Sequence, residues 1–363
     1  MPKVFVVAFD ILVYLLAVII AYKNKNRNTS NASLWILALL FCLFAAWGGD
    51  YAHYKEIFHL VKHGSDSHLE PPYLFLIQHV VDYYFFFRLI VWGGALLLFH
   101  LAIKKIRIPE SFILFVFIII ALPRFSYARA SLAMAIMTFG SVIIASNKPK
   151  HLIGLIIGLL IAAFSIYFHK SAAFGVAVIA LSLALKRFIS KPLLICVFAI
   201  FPIALYYLKD LLVDYMMVES FEESMVNISS GQRYLVGEIS AVKGPATLIE
   251  EGLMRVSFYL VAVLFILSVI KNKYKELPET IKFFACCSFF TIAGASLFAF
   301  DTGFDTSTIF NRFLLYSILP SSIFVAHFIY TKQFQRFTRL IIIVGLCASF
   351  FALLYSFYCT LVA

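Results

Sequence analysis

The feature that most constrains this chain is the recurrence of apolar runs about as long as a bilayer's hydrocarbon core is thick. The first runs from Val4 to Tyr22 and carries a single charge, Asp10. Similar runs return to the end of the chain, separated by polar breaks. They mark expected spans at 4–22, 33–48, 85–103, 110–123, 128–146, 152–168, 171–186, 192–208, 253–270, 281–300, 311–330 and 340–361. Residues 71–84 read as a short interfacial or re-entrant helix. The hydrophobic fraction of 63% fits that count, since twelve spans of about 20 residues would absorb nearly all of it. Only 13% of residues are charged, against roughly 25% in soluble proteins. A soluble enzyme, a disordered chain, a disulfide-stapled secreted domain and an anchor with a large soluble head are thereby excluded. The expected fold is all-α: a polytopic transmembrane helical bundle of about twelve spans, forming one integral membrane domain over residues 1–363.

The first apolar run reads as a retained span, because one lysine precedes it and no small-residue cleavage site follows it. All six cysteines lie in apolar runs without ligand spacing, and read as small buried hydrophobes. The net charge of +11 reflects topology, with no nucleic-acid partner implied. Of 30 basic residues, 18 fall in one alternating set of loops, from Lys23 to Arg339, with only Glu110, Glu276 and Glu279 beside them. The positive-inside rule makes that face cytoplasmic and puts both termini outside. The opposite face then carries two long extracytoplasmic loops, 48–84 and 209–252. Most polar chemistry lies there, so a reaction site is expected on that side.

Four constellations stand out on the expected outer face. In the first, Asp50 follows two glycines where the second span ends, with Tyr51 and Tyr54 after it, and Glu70-Pro71-Pro72-Tyr73 further on. Carboxylates at a membrane edge suit a general base or sugar-hydroxyl binding, and tyrosines suit stacking on sugar rings. A plain interfacial belt of tyrosines with loop acids is the competing account. The same segment holds five histidines between His53 and His79, and His59 and His63 have the i, i+4 spacing of two ligands on one helix face. Without an HExxH pattern or a nearby cysteine, no metal is assigned. In the second constellation, Arg124 and Arg129 bracket a turn before a small-residue helix. Arginine is costly near a membrane, and its fork suits bidentate phosphate binding; headgroup anchoring is the alternative. The third is His169-Lys170-Ser171, where a histidine at a helix end either moves a proton or closes the turn. The fourth is Arg312 after the acidic stretch 301–305, placed to bind phosphate or to pair with those acids. In 209–252 the acids read as a solvated face, and Arg233 is the residue singled out.

Taken together, Gly49-Asp50 with Tyr54, Glu70-Pro71-Pro72-Tyr73, Arg124 to Arg129 followed by Leu132-Ala133, His169-Lys170-Ser171, and Arg312 with Tyr316 resemble the EpsG branch of the Wzy-type polysaccharide polymerases. Pro72 stands where that family's Glu-Pro-Gly-Tyr/Phe has glycine, and Arg129 is the arginine matched to the family's single position. The resemblance implies a GT-C-like membrane glycosyltransferase in the bacterial inner membrane. Such an enzyme joins undecaprenyl-diphosphate-linked oligosaccharide repeat units at the extracytoplasmic face, without a cofactor. The partners implied are that lipid-linked oligosaccharide and membrane lipid, with room for a flippase and a chain-length regulator. In this reading Arg124, Arg129, Arg312 and Arg233 bind the lipid diphosphate. Asp50, His169 and Glu70 are the candidate base or orienting groups, and Tyr51, Tyr54 and Tyr73 hold sugar. The alternatives carried with it are an O-antigen ligase-like transferase, a sugar acyltransferase, and a lipid-linked-sugar flippase or transporter.

Overall fold

A computed structural model describes residues 3–25, 31–44, 49–64, 69–125, 128–146, 152–192, 245–296 and 313–362. Among the described residues there is no strand, and apolar runs become helices throughout. These are α1 (Lys3–Asn24), α2 (Ala32–Phe44), α3 (Gly49–Lys62), α4 (Pro71–Phe75), a π-helical turn (Leu76–Val80), α5 (Tyr84–Ile103), α6 (Glu110–Ile120), α7 (Leu122–Phe125), α8 (Ala128–Ser146), α9 (Leu152–Phe168), α10 (Ala172–Leu185), α11 (Pro245–Ile270), α12 (Lys273–Glu276), α13 (Glu279–Ser296), α14 (Ile318–Tyr330) and α15 (Gln335–Val362). Helix is what such runs must form in lipid, because it satisfies every backbone N–H and C=O within the segment. Among the described residues, five helical stretches are long and apolar enough to cross a membrane: Val4–Asn24, Tyr84–Ile103, Gly252–Ile270, Phe313–Tyr330 and Gln335–Tyr355. Five more apolar helices are shorter, among them α2, α6, α9 and α10. Residues 193–244 lie outside the described residues, and with them nearly all of the expected span at 192–208 and most of the long segment 209–252, Arg233 included; the end of that segment, from Pro245, forms the start of α11.

Residues 49–62, expected as loop, form α3, and residues 71–84, expected as a short interfacial or re-entrant helix, hold α4 and the π-helical turn. Helix α3 is amphipathic: Phe58 and Val61 point into the core while Lys55, Glu56 and His59 are exposed. That apolar stripe gives the polar helix a surface to pack on. Lys62 then reaches Asp82 at 2.9 Å, tying the end of α3 to the turn before α5.

Cross-links fix which helix ends lie together. At one end, Ser111 Oγ at the start of α6 donates to the Lys25 carbonyl after α1. Phe112 packs edge-on to Tyr330 at the end of α14. The Thr280 hydroxyl at the start of α13 donates to Ala145 at the end of α8, and the Tyr274 hydroxyl donates to the Lys186 carbonyl after α10. Lys104, Lys105 and Lys186 sit in turns of this end, and Lys273 and Lys282 in the first turns of α12 and α13 there. The other end gathers α3, α4, the π-turn, α7, the start of α8, the end of α9 and the start of α10.

Helices α8 and α9 make the closest crossing. A Cβ on Gly140 would come within 2.6 Å of the Gly158 carbonyl oxygen and 2.7 Å of the Ala162 nitrogen. Only glycine lets the two backbones approach this far, the usual device where lipid provides no hydrophobic drive between helices.

Candidate functional site

The local backbone explains how Glu70 is aimed. A residue before proline is pushed out of the α region, and Glu70 is extended, with φ −63° and ψ 144°. Pro71 and Pro72 then open α4 at its first two positions, where the missing N–H groups have no intrahelical partner to lose. Pro72 in place of glycine is therefore accommodated as a helix start. The Glu70 side chain does not cap α4, and its carboxylate crosses to another element. Beyond α4, Val81 N–H bonds the Leu76 carbonyl at 3.0 Å, the i→i−5 bond that closes the π-turn. Such turns recur at functional sites.

His169 comes from the far side of the fold. Its backbone N–H bonds Ser165 and extends α9 by one residue, and its carbonyl accepts Ala172 N–H at 2.8 Å to start α10. This tight αα turn presents the imidazole to α4. His169 Nδ1 lies 2.9 Å from Glu70 Oε1, and the two side chains are 15% and 10% exposed. An ionised carboxylate only accepts, so Nδ1 carries the proton and donates it. Nε2 is the ring nitrogen that this bond does not use. Two motifs 99 residues apart meet as one carboxylate–imidazole pair.

The third residue of the same turn makes the next link. The Ser171 hydroxyl lies 3.0 Å from the Tyr316 hydroxyl just before α14. Tyr316 is buried, and its ring runs close past Gly175, where a Cβ would sit 3.2 Å from the ring and collide with the Met137 sulfur. Phe174, in the first turn of α10, stacks on Phe313 at 4.2 Å with the rings 14° apart. This stack anchors the chain directly after Arg312. Arg312 itself lies outside the described residues. Arg124 is half-buried in α7 at this end. Arg129 belongs to the first turn of α8, beside the end of α9 by the α8–α9 crossing, and its side chain is outside the described set. The same holds for the side chains of Asp50, Tyr51 and Tyr54, whose backbone forms the start of α3.

Tyr73 lies inside the packing beneath this pair. It is 1% exposed, with its ring edge-on to Phe87 and to Phe168, the residue before His169. These contacts pack α4 against α5 and α9.

A buried ionic cluster escaped the sequence reading. Arg88, one turn into α5, is 4% exposed and its Nη2 donates to the Cys42 carbonyl at the end of α2 at 2.6 Å. Its guanidinium also lies 4.7 Å from the Trp92 ring centroid, a favourable cation–π arrangement. Asp10, fully buried on α1, bears on the same Cys42. The signal was one arginine inside the aromatic run Tyr84 to Trp92, since a charge inside an apolar run needs partners.

The EpsG family model matches residues 28–361. No curated protein and no solved structure matches. The matched stretch contains every residue of the Glu70–His169 and Ser171–Tyr316 links.

Proposed function

The chain belongs to the EpsG family, and from that premise we propose that it polymerises polysaccharide repeat units carried on undecaprenyl diphosphate. The reaction runs at the extracytoplasmic face of the bacterial inner membrane. The end of the bundle that carries Glu70 and His169 faces outward, and the lysine-rich end faces the cytoplasm. The observation that carries this reading is the Glu70–His169 bond at 2.9 Å. It joins two of the sequence's candidate groups into an arrangement suited to general-base work.

In the proposed step, the acceptor is a hydroxyl at the non-reducing end of a newly delivered repeat unit. His169 Nε2 takes the hydroxyl proton as the oxygen attacks the anomeric carbon of the donor. The new glycosidic C–O bond forms as the old C–O bond to the diphosphate breaks, and the electron pair leaves on the lipid diphosphate. Glu70 holds the ring in the required tautomer and stabilises the imidazolium that forms, the division of labour seen in carboxylate–histidine pairs generally. Direct attack inverts the anomeric centre. Arg124, Arg129 and Arg312 supply the donors for the charge that develops on the leaving diphosphate, with Arg233 as a further contributor. Asp50 orients the acceptor, and Tyr51 and Tyr54 hold its sugar rings. A flippase supplies the units, and a chain-length regulator works beside the enzyme.

A deletion strain complemented with His169→Ala, Glu70→Gln or Arg129→Ala tests the reading. Loss of long glycan, with single repeat units still made and exported, is the expected result. Accumulation of units on the cytoplasmic side would instead make the chain a flippase.

A further inference from the structure

At the lysine-rich end, α2 and α5 enclose a groove of about 750 Å³. It lies at the opposite end of α5 from the Glu70–His169 pair. Gly93 leaves room in its wall, with nothing within 4 Å of where a Cβ would be. The sides are aliphatic, and two of them, Ile36 and Leu97, are 58% and 57% exposed. On a membrane-spanning bundle such residues face hydrocarbon, so the groove opens sideways into the bilayer.

The inner rim is polar and asymmetric. Lys104, exposed after α5, supplies the cation. Glu110 Oε1 accepts from Trp35 Nε1 at 2.5 Å and from His100 Nδ1 at 2.8 Å, which fixes the carboxylate in the wall. Asn31 Oδ1 is buried in the rim, and among the described residues no hydrogen bond reaches it. A buried acceptor left in this state is destabilising until a donor meets it. The rim therefore asks for one negative charge beside Lys104 and for hydroxyl donors towards Asn31 and Glu110. A bare phosphate satisfies only the first demand, and the carboxylate repels it. A water-soluble ligand would not explain the lateral aliphatic opening.

We propose that this groove binds an anionic glycerophospholipid of the adjoining leaflet whose headgroup also carries hydroxyls, phosphatidylglycerol in kind. Its phosphate lies against Lys104, its glycerol hydroxyls donate to Asn31 Oδ1 and Glu110, and one acyl chain runs along Leu39 and Leu96 past Gly93. The site is independent of the glycosyl-transfer reading.

Native mass spectrometry of the full chain, delipidated and then offered equimolar phosphatidylglycerol and phosphatidylcholine, tests it. Phosphatidylglycerol should be retained about tenfold over phosphatidylcholine, a difference set by the one charge and its donors. Lys104→Glu should bring the two lipids level, and Gly93→Leu should displace both by filling the groove. Should Gly93→Leu fail to elute as a single species, the exposed Lys104→Glu variant decides alone. Equal retention of the two lipids by the wild type overturns the proposal, as does selectivity unchanged by Lys104→Glu. Preference for undecaprenyl phosphate over phosphatidylglycerol would also overturn it, giving the groove to the enzyme's own carrier.

Discussion

Replacing Glu70 by glutamine should separate catalysis from packing at the candidate site. The side chain keeps its length, and the amide oxygen can still accept the His169 Nδ1–H now bonded at 2.9 Å. What is lost is a negative charge beside a ring that becomes positive during the reaction. With charge centres about 4 Å apart and an effective dielectric near 20, that attraction is about 4 kcal/mol. The pair is only 10–15% exposed, so water screens little of it. Allowing for partial proton transfer in the transition state, ~3–4 kcal/mol of stabilisation disappears, a fall of roughly 100- to 1000-fold in rate. His169→Ala, which removes the base itself, should cost about 100- to 10,000-fold. The assay is elongation of purified lipid-linked repeat units, read as a ladder of chain lengths over time. Because the two residues act as a unit, the double variant should be no slower than His169→Ala alone. Glu70→Gln should elute from detergent as wild type does, since the exchange of one hydrogen bond for another is worth only about 1 kcal/mol. Elongation by Glu70→Gln above half the wild-type rate would refute the argument. So would a double variant whose loss equals the product of the two single losses.

Gly140→Ala should sharply lower the yield of folded protein, because its Cβ meets backbone at 2.6 Å and 2.7 Å with no flexible side chain to yield; the monodisperse fraction after detergent extraction measures it. Arg88→Leu should destabilise by about 3–5 kcal/mol, since it withdraws a buried cation from the Asp10 side of the bundle. It should lower the temperature at which the purified protein aggregates, and Asp10→Asn in the same chain should recover part of the loss. Tyr73→Phe should keep most activity while Tyr73→Ala removes it, if the ring serves packing against Phe87 and Phe168; a comparable loss in both would return Tyr73 to the substrate. Asp82→Asn breaks an ion pair whose carboxylate is 85% exposed, and extraction yield and elongation should both stay near wild type.

Which parts of this protein are local and which are tertiary can be told residue by residue. The helices were legible because their cause is local: an apolar run in lipid has no other way to satisfy its backbone. The expected limits 85–103 and 152–168 accordingly lie within a residue of α5 and α9. Helix α3 was missed because its apolar stripe is narrow, and Lys55, Glu56, His59 and Lys62 around it read as loop. Glu70 was singled out as a membrane-edge carboxylate before a Pro-Pro step, and His169 as a histidine at a span end. Their bond could not be read, because it depends on how α4 docks beside α9, and that follows from side-chain fit around Tyr73 and Phe168. The burial of Tyr73 was equally illegible: a tyrosine near a membrane edge looks the same in one dimension whether its ring is exposed or packed on two phenylalanines. Arg88 disappears into an aromatic run until the fold sets the Cys42 carbonyl and Trp92 around it. The sequence alone thus determined the helical membrane architecture, the lysine-rich set of turns and the short roster of reactive side chains. Those follow from hydrophobicity, charge and residue chemistry carried by each segment. Only the tertiary structure decided which of those side chains meet, because contact between residues far apart in the chain is set by packing that no single segment contains.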